Sequence, residues 1–392
     1  MDQEELLGEL LAADPVKADL RASAQLPWGA GSPEPLVLVG AGTLGRFILK
    51  GLRKSGVQPV AWADDTLSKQ GTLIDGVPVL PVETAARQLG RSAVWVVTIL
   101  NPAHRFLRTR QRLEQLGCLR ICSYLHLIHV LADNFLPYYL FDKPSRILAQ
   151  APRIEAAFRL LADDESRRQF IDLLRFRLQL DYDTIPPSGD DSYFPPELVK
   201  LPSDVTFVDG GAFTGDTIER FLQVQGDRFR RIVALEPDET NFSGLCDYVR
   251  RMGESREGRT RAYRAAVGSS HRVERFASSG DMSASFSASG TSEVEVLPLD
   301  EILSDDEKLY IKLDIEGAEM DALRGARRTL SEARPALAVC VYHKPEDMWD
   351  IPLHLHEVGA GHQLYLRTEG TDGMDVVCYA LPPGRGRTPQ AA

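Results

Sequence analysis

An apolar run, Phe207-Val208, passes into Asp209-Gly210-Gly211-Ala212-Phe213-Thr214-Gly215-Asp216, and a second apolar run, Ala234-Leu235, ends on Glu236-Pro237-Asp238. A strand, a glycine turn, a helix and a second strand ending on a carboxylate build a nucleotide crevice at the carboxyl ends of parallel strands. Gly211 and Gly215 let the backbone approach a ligand where a side chain would block it. Glu236 follows Gly211 by 25 positions, a spacing at which an acid accepts hydrogen bonds from both hydroxyls of a ribose. The turn carries no phosphate-gripping lysine, so it points to an adenosine ligand that need carry no phosphate chain. S-adenosylmethionine is the candidate.

The same device occurs earlier in the chain. Leu36-Val37-Leu38-Val39 runs into Gly40-Ala41-Gly42-Thr43-Leu44-Gly45, a full G-x-G-x-x-G, and Arg46 to Ser55 reads as a helix. Val60 to Ala63 forms the next strand and ends on Asp64-Asp65, with Asp64 lying 24 positions after Gly40. Gly40, Gly42, Gly45 and Asp64 are therefore candidate ligand contacts. A strand from Ala93 to Ile99 and a basic helix from Pro102 to Leu116 follow, and the unit closes near Ser123. The fold class is α/β: two Rossmann-like doubly wound domains joined by a helical segment.

The expected layout is an N-terminal helix (Glu4 to Leu11) and polar link over 1–34, then a Rossmann-like domain over 35–124. A helical linker or lid spans 125–203, carrying Ile154-Ala157-Phe158-Leu161 and Phe170-Leu173-Leu174-Arg177-Leu178 at helical spacing, and Ile185 to Asp191 is a loop. The second Rossmann-like domain spans 204–383 and a disordered tail 384–392. In that domain the expected strands are Val205–Asp209, Arg231–Leu235, Ala262–Val267, Leu309–Asp314, Ala336–Tyr342, His362–Leu366 and Val376–Leu381. The last two are separated by turn-rich Thr368 to Gly373 and read as an antiparallel hairpin. Ser-rich Asp281 to Ser289 reads as a mobile loop.

A chain of 392 residues is too long for one ordinary core. Its 43% hydrophobic and 26% charged shares are those of a globular protein, and a net charge of -11 argues against a nucleic-acid partner. The N-terminus lacks a signal-peptide pattern and no apolar run reaches the ~18–20 residues a bilayer requires. The expectation is a cytoplasmic protein with no membrane partner. The five cysteines are scattered, and Cys118 and Cys122 have the wrong spacing for a zinc pair, so reduced thiols are expected.

The most specific local sequence after the turn is Tyr310-Ile311-Lys312-Leu313-Asp314-Ile315-Glu316-Gly317-Ala318-Glu319. Lys312 and Asp314 share one face of the strand, which puts Asp314 at the strand's carboxyl end in the crevice. Glu316 and Glu319 fall at the start of the next helix, where first-turn acids are favoured in any case. The following strand ends on Tyr342-His343-Lys344-Pro345-Glu346-Asp347, a polar cluster in which an imidazole can accept a hydroxyl proton near neutral pH. Tyr193-Phe194, just upstream of the turn, either roof a ligand or pack onto the sheet. His354 and His356 alternate with leucines and read as surface or packing residues.

At these residues the chain resembles the FkbM-type S-adenosylmethionine-dependent methyltransferases, over roughly Tyr193 to Leu381. The resemblance rests on Val208 to Thr217, Leu235-Glu236-Pro237, Ile311 to Glu319 with Leu323-Arg324-Gly325-Ala326, and Tyr342 to Asp347. It implies a class I methyltransferase sheet, with Asp209 and Gly211 near the methionine part of the cofactor and Glu236 on the ribose. Gly215, Asp216 and Tyr193 complete the expected cofactor contacts. It also implies O-methylation of a hydroxyl on a sugar, polysaccharide or natural product. Phe213 departs from the pattern, standing where many such turns carry a third glycine. The expected chemistry is alignment of a hydroxyl with the methyl carbon and removal of its proton. His343 or Asp314 serves as base, tuned by Lys312 or Lys344. A divalent metal on Asp314 and Glu316 is the alternative; no metal ligand set is assigned, because no third ligand stands out.

The first glycine turn and its continuation, Asp64 to Leu80, resemble the N-terminal domain of sugar-nucleotide acyltransferases over about Leu36 to Asn101, which implies a nucleotide-sugar site. Three readings compete there: a sugar-nucleotide or substrate-presenting domain, a true NAD site, or an empty scaffold for a homodimer. The alternative for the whole chain is an NAD- or nucleotide-sugar-binding protein or oxidoreductase whose C-terminal domain only binds. No Tyr-x-x-x-Lys accompanies the first turn, which favours the methyltransferase. The expected partner is a small-molecule or carbohydrate acceptor.

Overall fold

The computed structural model describes residues 2–26, 34–101, 104–136, 138–186, 192–277, 285–286, 292–304, 308–359 and 361–383. The Ser-rich loop apart from Ser285-Phe286, the loop at 187–191 and the tail at 384–392 lie outside the described residues. The chain forms two compact units, 1–151 with 170–187 and 370–374, and 152–169 with 188–369 and 375–392. The long helix Asp164–Gln179 begins in the second unit and ends in the first.

Unit 1 is built on six strands: β1 (Leu36–Val39), β2 (Ala61–Ala63), β3 (Leu73–Ile74), β4 (Val77–Leu80), β5 (Val94–Val97) and β6 (Arg120–Ser123). Their order is β3-β4-β2-β1-β5-β6, and every pair except β3 with β4 is parallel. β1, β2 and β5 are buried throughout, as a sheet covered on both faces requires. The hairpin β3–β4 was not foreseen. Asp75 and Gly76 form its two-residue turn at φ 49° and 77°, the positive values that such hairpins demand. A second N-terminal helix, Pro15–Gln25, stands where a polar link was expected. Asp14 accepts the Lys17 amide at 2.8 Å and Pro15 takes the first helical position, a start signal that polarity alone hides.

Unit 2 holds a seven-stranded sheet of β7 (Thr206–Gly210), β8 (Arg231–Leu235), β9 (Thr260–Tyr263), β14 (Leu309–Leu313), β15 (Ala336–Cys340), β16 (Gln363–Thr368) and β17 (Val376–Leu381). Its order is β16-β17-β15-β14-β7-β8-β9, with β17 antiparallel to both neighbours and the hairpin β16–β17 as expected. A four-stranded sheet joins β10 (Ala265–Val267), β11 (Arg272–Ala277), β12 (Ser285–Phe286) and β13 (Ser292–Leu297). The single strand expected over Ala262–Val267 thus divides at Arg264: β9 pairs β8 in the large sheet, while β10 pairs β13 in the small one. No helix among the described residues is long and apolar enough to cross a membrane. The five cysteines are all free thiols.

β7 lies between β8 and β14, so the chain leaves it in opposite directions and opens a crevice at its carboxyl end. Beneath that end Phe207, Phe221, Tyr310 and Phe194 pack ring against ring, with centroids 4.6 to 6.1 Å apart. Phe194 therefore belongs to the core, and the Tyr310 hydroxyl donates to the Tyr193 carbonyl. This anchor fixes where Tyr193 points.

Candidate active site

Four adjacent strands, β15, β14, β7 and β8, deliver the site from their carboxyl ends. Gly211 leaves β7 at φ 76°, and a Cβ there would sit 1.9 Å from the Asp314 carbonyl oxygen. Only glycine lets the ends of β7 and β14 close to this distance. Gly215 turns the chain into the helix Asp216–Gln225 at φ 97°, where a Cβ would meet the Tyr248 ring at 2.6 Å. Asp216 is exposed at that helix start. Both Glu236 oxygens accept backbone amides: Oε2 from Phe213 and Oε1 from Asp238, each at 2.9 Å. Burial pushes the Glu236 carboxyl up to about 7, the two amide bonds opposing that rise and the nearby charge of Asp238 adding to it.

Lys312 and Asp209 face each other as cross-strand partners on β14 and β7, which brings Nζ to 3.0 Å from Oδ1. The same ammonium donates to the Gly210 carbonyl at 3.2 Å and the Gly211 carbonyl at 2.6 Å. Its hydrogens are spent on the underside of the turn, so Lys312 braces the turn. Burial raises the Asp209 carboxyl to about 6, against the pull of the Lys312 charge. Burial also works against the charge on Lys312, and Asp209 and Asp314 more than offset it.

Asp314 follows β14 with its side chain about a quarter exposed, and Tyr193 donates to its Oδ2 at 2.8 Å. Burial opposes its ionisation, but Lys312, His343 and the Tyr193 bond prevail and hold it below the usual carboxylate range. The next residues depart from expectation. The helix begins at Glu319, not Glu316, because Glu316 at φ 54° and Gly317 at φ 91° turn the chain first. Tyr193 (φ 66°), Phe213 (φ 45°) and Glu316 are non-glycine residues in the left-handed region, each costing of order ~1–3 kcal/mol. Such residues gather at ligand sites.

Glu319 is fully buried and does more than favour a helix start. Its Oε1 accepts the Ile315 amide at 2.8 Å and lies 2.8 Å from His343 Nδ1. The other imidazole nitrogen, Nε2, is 3.4 Å from Asp314 Oδ1 and 3.8 Å from Glu316 Oε2. Burial alone would strip the proton from His343; the charges of Glu319, Asp314 and Glu316 overcome it and raise the imidazole to about 10. The expectation gave the proton-accepting role to His343 or Asp314; the carboxylates gathered round the ring favour its protonated form. Asp347, also buried, is pushed up to about 8 by burial and then by the charge of Glu319. The linear spacing showed neither the Glu319–His343 contact nor the place of Asp347, since both arise across separate strand ends.

Unit 1 has its own version of the turn. Gly40 lies at φ 101°, and a Cβ on Gly45 would meet the Gly40 carbonyl at 2.2 Å. Asp64 Oδ2 accepts the Ala41 amide at 2.8 Å and pairs with Lys69 Nζ at 3.1 Å, while Oδ1 accepts the Thr66 amide at 2.8 Å. Burial resists, but these bonds hold the Asp64 carboxyl below its ordinary value.

Residues 209–362 match the family model of the methyltransferase FkbM domain. The crystal structure of methyltransferase FkbM from Methylobacillus flagellatus KT is similar at a TM-score of 0.72 and 22% identity, covering 94% of this chain and 100% of that one. At this identity the likeness shows a shared fold. The redox-sensing transcriptional repressor Rex of Roseiflexus sp. (strain RS-1) is 31% identical over 108 residues, 27% of this chain and 49% of that protein. The chain thus spans about half the length of this curated relative. The turn, the ribose-side acid and the family match fall together within residues 209–362, the stretch that matches the methyltransferase FkbM domain.

Proposed function

We propose that this domain methylates a hydroxyl oxygen, on an acceptor of the sugar, polysaccharide or natural-product class. The observation that carries the reading is the pair of partly exposed carboxylates, Asp314 and Glu316, at the strand end beside the glycine turn. A carboxylate placed there can take the proton that a hydroxyl loses on methylation.

The residues fit the cofactor. Glu236 is buried with its oxygens held by two amides, and its remaining lone pairs suit ribose hydroxyls. When bound, S-adenosylmethionine supplies a methyl carbon whose bond to sulfur breaks, its electron pair passing to sulfur, as the acceptor oxygen bonds to carbon. Gly211 and Gly215 clear the backbone for close approach. Lys312 and Asp209 keep the turn rigid from below, and His343 stands behind Asp314 and Glu316.

In unit 1 the Asp64 carboxylate is engaged by its own loop and by Lys69, which supports the scaffold reading over an NAD or nucleotide-sugar site.

The test is transfer of a labelled methyl group from S-adenosylmethionine to a panel of glycans and polyhydroxylated small molecules, with the product located by mass spectrometry. Label found on an ether oxygen supports the proposal. Label on nitrogen or carbon, or stabilisation by NAD without stabilisation by S-adenosylhomocysteine, sinks it.

A further inference from the structure

We propose that Asp314, Glu319 and His343 form a site for one divalent first-row cation of the Mn²⁺ type, set beside the crevice where the acceptor binds. The role given to this cation rests on the methyl-transfer reading above; the site itself rests on geometry. One donor atom from each of the three residues can be chosen so that all lie within 4.8 Å of one another. Three donors bound at ~2.1 Å to one ion lie about 3.0–3.6 Å apart, so the cluster closes by no more than about 1–2 Å on binding.

Burial sets this group apart from surface acids that gather without an ion. The Glu319 and His343 side chains are 0% and 2% exposed. Glu319 Oε2 is buried and accepts no hydrogen bond among the described residues. A buried carboxylate oxygen in that state costs free energy that a bound cation recovers.

The local charge balance points the same way. Glu316 adds a further carboxylate beside the imidazole. Lys312 is committed to Asp209 and to the carbonyls of the turn. The outer contacts that orient metal ligands are also in place: the Tyr193 hydroxyl on Asp314 Oδ2 and the Ile315 amide on Glu319 Oε1. Two carboxylates and one imidazole, with no thiolate among them, suit Mn²⁺ better than a soft ion. With Asp314 holding the cation, Glu316 would be the group to receive the acceptor's proton, and the cation would supply Lewis acidity toward the acceptor hydroxyl.

The experiment is a Mn²⁺ titration of the EDTA-treated full chain, followed by the electron paramagnetic resonance signal of free Mn²⁺. The expected result is one equivalent bound, weakened at least tenfold in both Asp314→Asn and Glu319→Gln and unchanged in Glu83→Gln, an exposed residue of unit 1. No Mn²⁺ bound by the wild-type chain at millimolar metal overturns the site, as does unchanged binding in Asp314→Asn. Binding of S-adenosylhomocysteine in EDTA separates the two readings. If the adenosyl ligand binds and Mn²⁺ does not, the cation site falls and the methyltransferase stands. If Mn²⁺ binds and the adenosyl ligand does not, the site stands and its role in methyl transfer falls.

Discussion

The chain builds the same turn twice and finishes it differently. In each unit a strand ends in glycines, the next strand ends in a carboxylate that accepts a turn amide, and a neighbouring strand pins the turn's carbonyls from below. In unit 1 the pin is a hydroxyl: Thr98 Oγ1 lies 3.0 Å from the Val39 carbonyl and 2.9 Å from that of Gly40. In unit 2 it is the Lys312 ammonium, with Asp209 as its counter-charge. In unit 1 the closing acid, Asp64, is matched by Lys69 and held ionised. In unit 2 the closing acid, Glu236, has amide partners and a carboxyl raised to about 7. A turn whose charges are already balanced is a structural corner. A turn with a buried lysine beneath it and a loosely compensated acid above it has interactions left for a ligand.

The largest difference should appear at the glycines. Gly211→Ala drives a Cβ to 1.9 Å from the Asp314 carbonyl, whereas a Cβ at Gly42 meets nothing within 4 Å. By calorimetric titration, Gly211→Ala is expected to weaken S-adenosylhomocysteine at least ~100-fold, about 2.7 kcal/mol, and Gly42→Ala to leave it unchanged. Equal behaviour of the two variants would break the comparison.

The pins come next. Lys312→Met leaves Asp209 buried without its cation, a loss of about 3–5 kcal/mol and a fall in Tm of roughly 10 °C. Thr98→Val removes one neutral hydrogen bond, about 1 kcal/mol. A melting curve in which Thr98→Val costs more than Lys312→Met would reverse the ranking of the two turns.

The closing acids sharpen it further. Glu236→Gln should reduce adenosyl-ligand affinity about 10- to 100-fold, and Asp64→Asn should not alter it. If Asp64→Asn weakens the ligand as much, unit 1 takes part in binding it.

The smallest effect is in pH. A carboxyl raised from 4.5 to about 7 in the folded state binds its proton more tightly there than in the unfolded chain. Glu236 therefore lowers stability as pH climbs from about 4.5 to about 7, while ribose hydroxyls, which donate to the ionised form, bind better above that range. Affinity for S-adenosylhomocysteine should rise between pH 6 and 8 in the wild-type chain and stay flat in Glu236→Gln. A wild-type profile without slope would place the group's titration elsewhere.

Much of this architecture could be read along the chain because it is local. An apolar run, glycines at fixed offsets and a carboxylate some 25 positions on describe each turn, since strand, turn and helix are contiguous. The alternation that places Lys312 and Asp314 on one face of β14 was legible for the same reason. The hairpin at Asp75-Gly76 was equally local and was overlooked. The small sheet of β10 to β13 could not be read as easily, because its parallel pair joins residues some 30 positions apart. The pairing of Lys312 with Asp209 depended on the register of two strands separated by about a hundred residues.

What the sequence by itself determined was the existence of two glycine turns closed by acids, and which of them carries a run of ionisable residues after it. What only the tertiary structure decided was the state of those residues. Whether Lys312 reaches a substrate or a carbonyl, and whether His343 is neutral or charged, depends on which strand ends lie side by side and how deeply they are buried. Burial and neighbouring charge act over a few ångströms, and the chain brings Asp209, Glu236, Lys312, Glu319 and His343 to that range only when the sheet has formed.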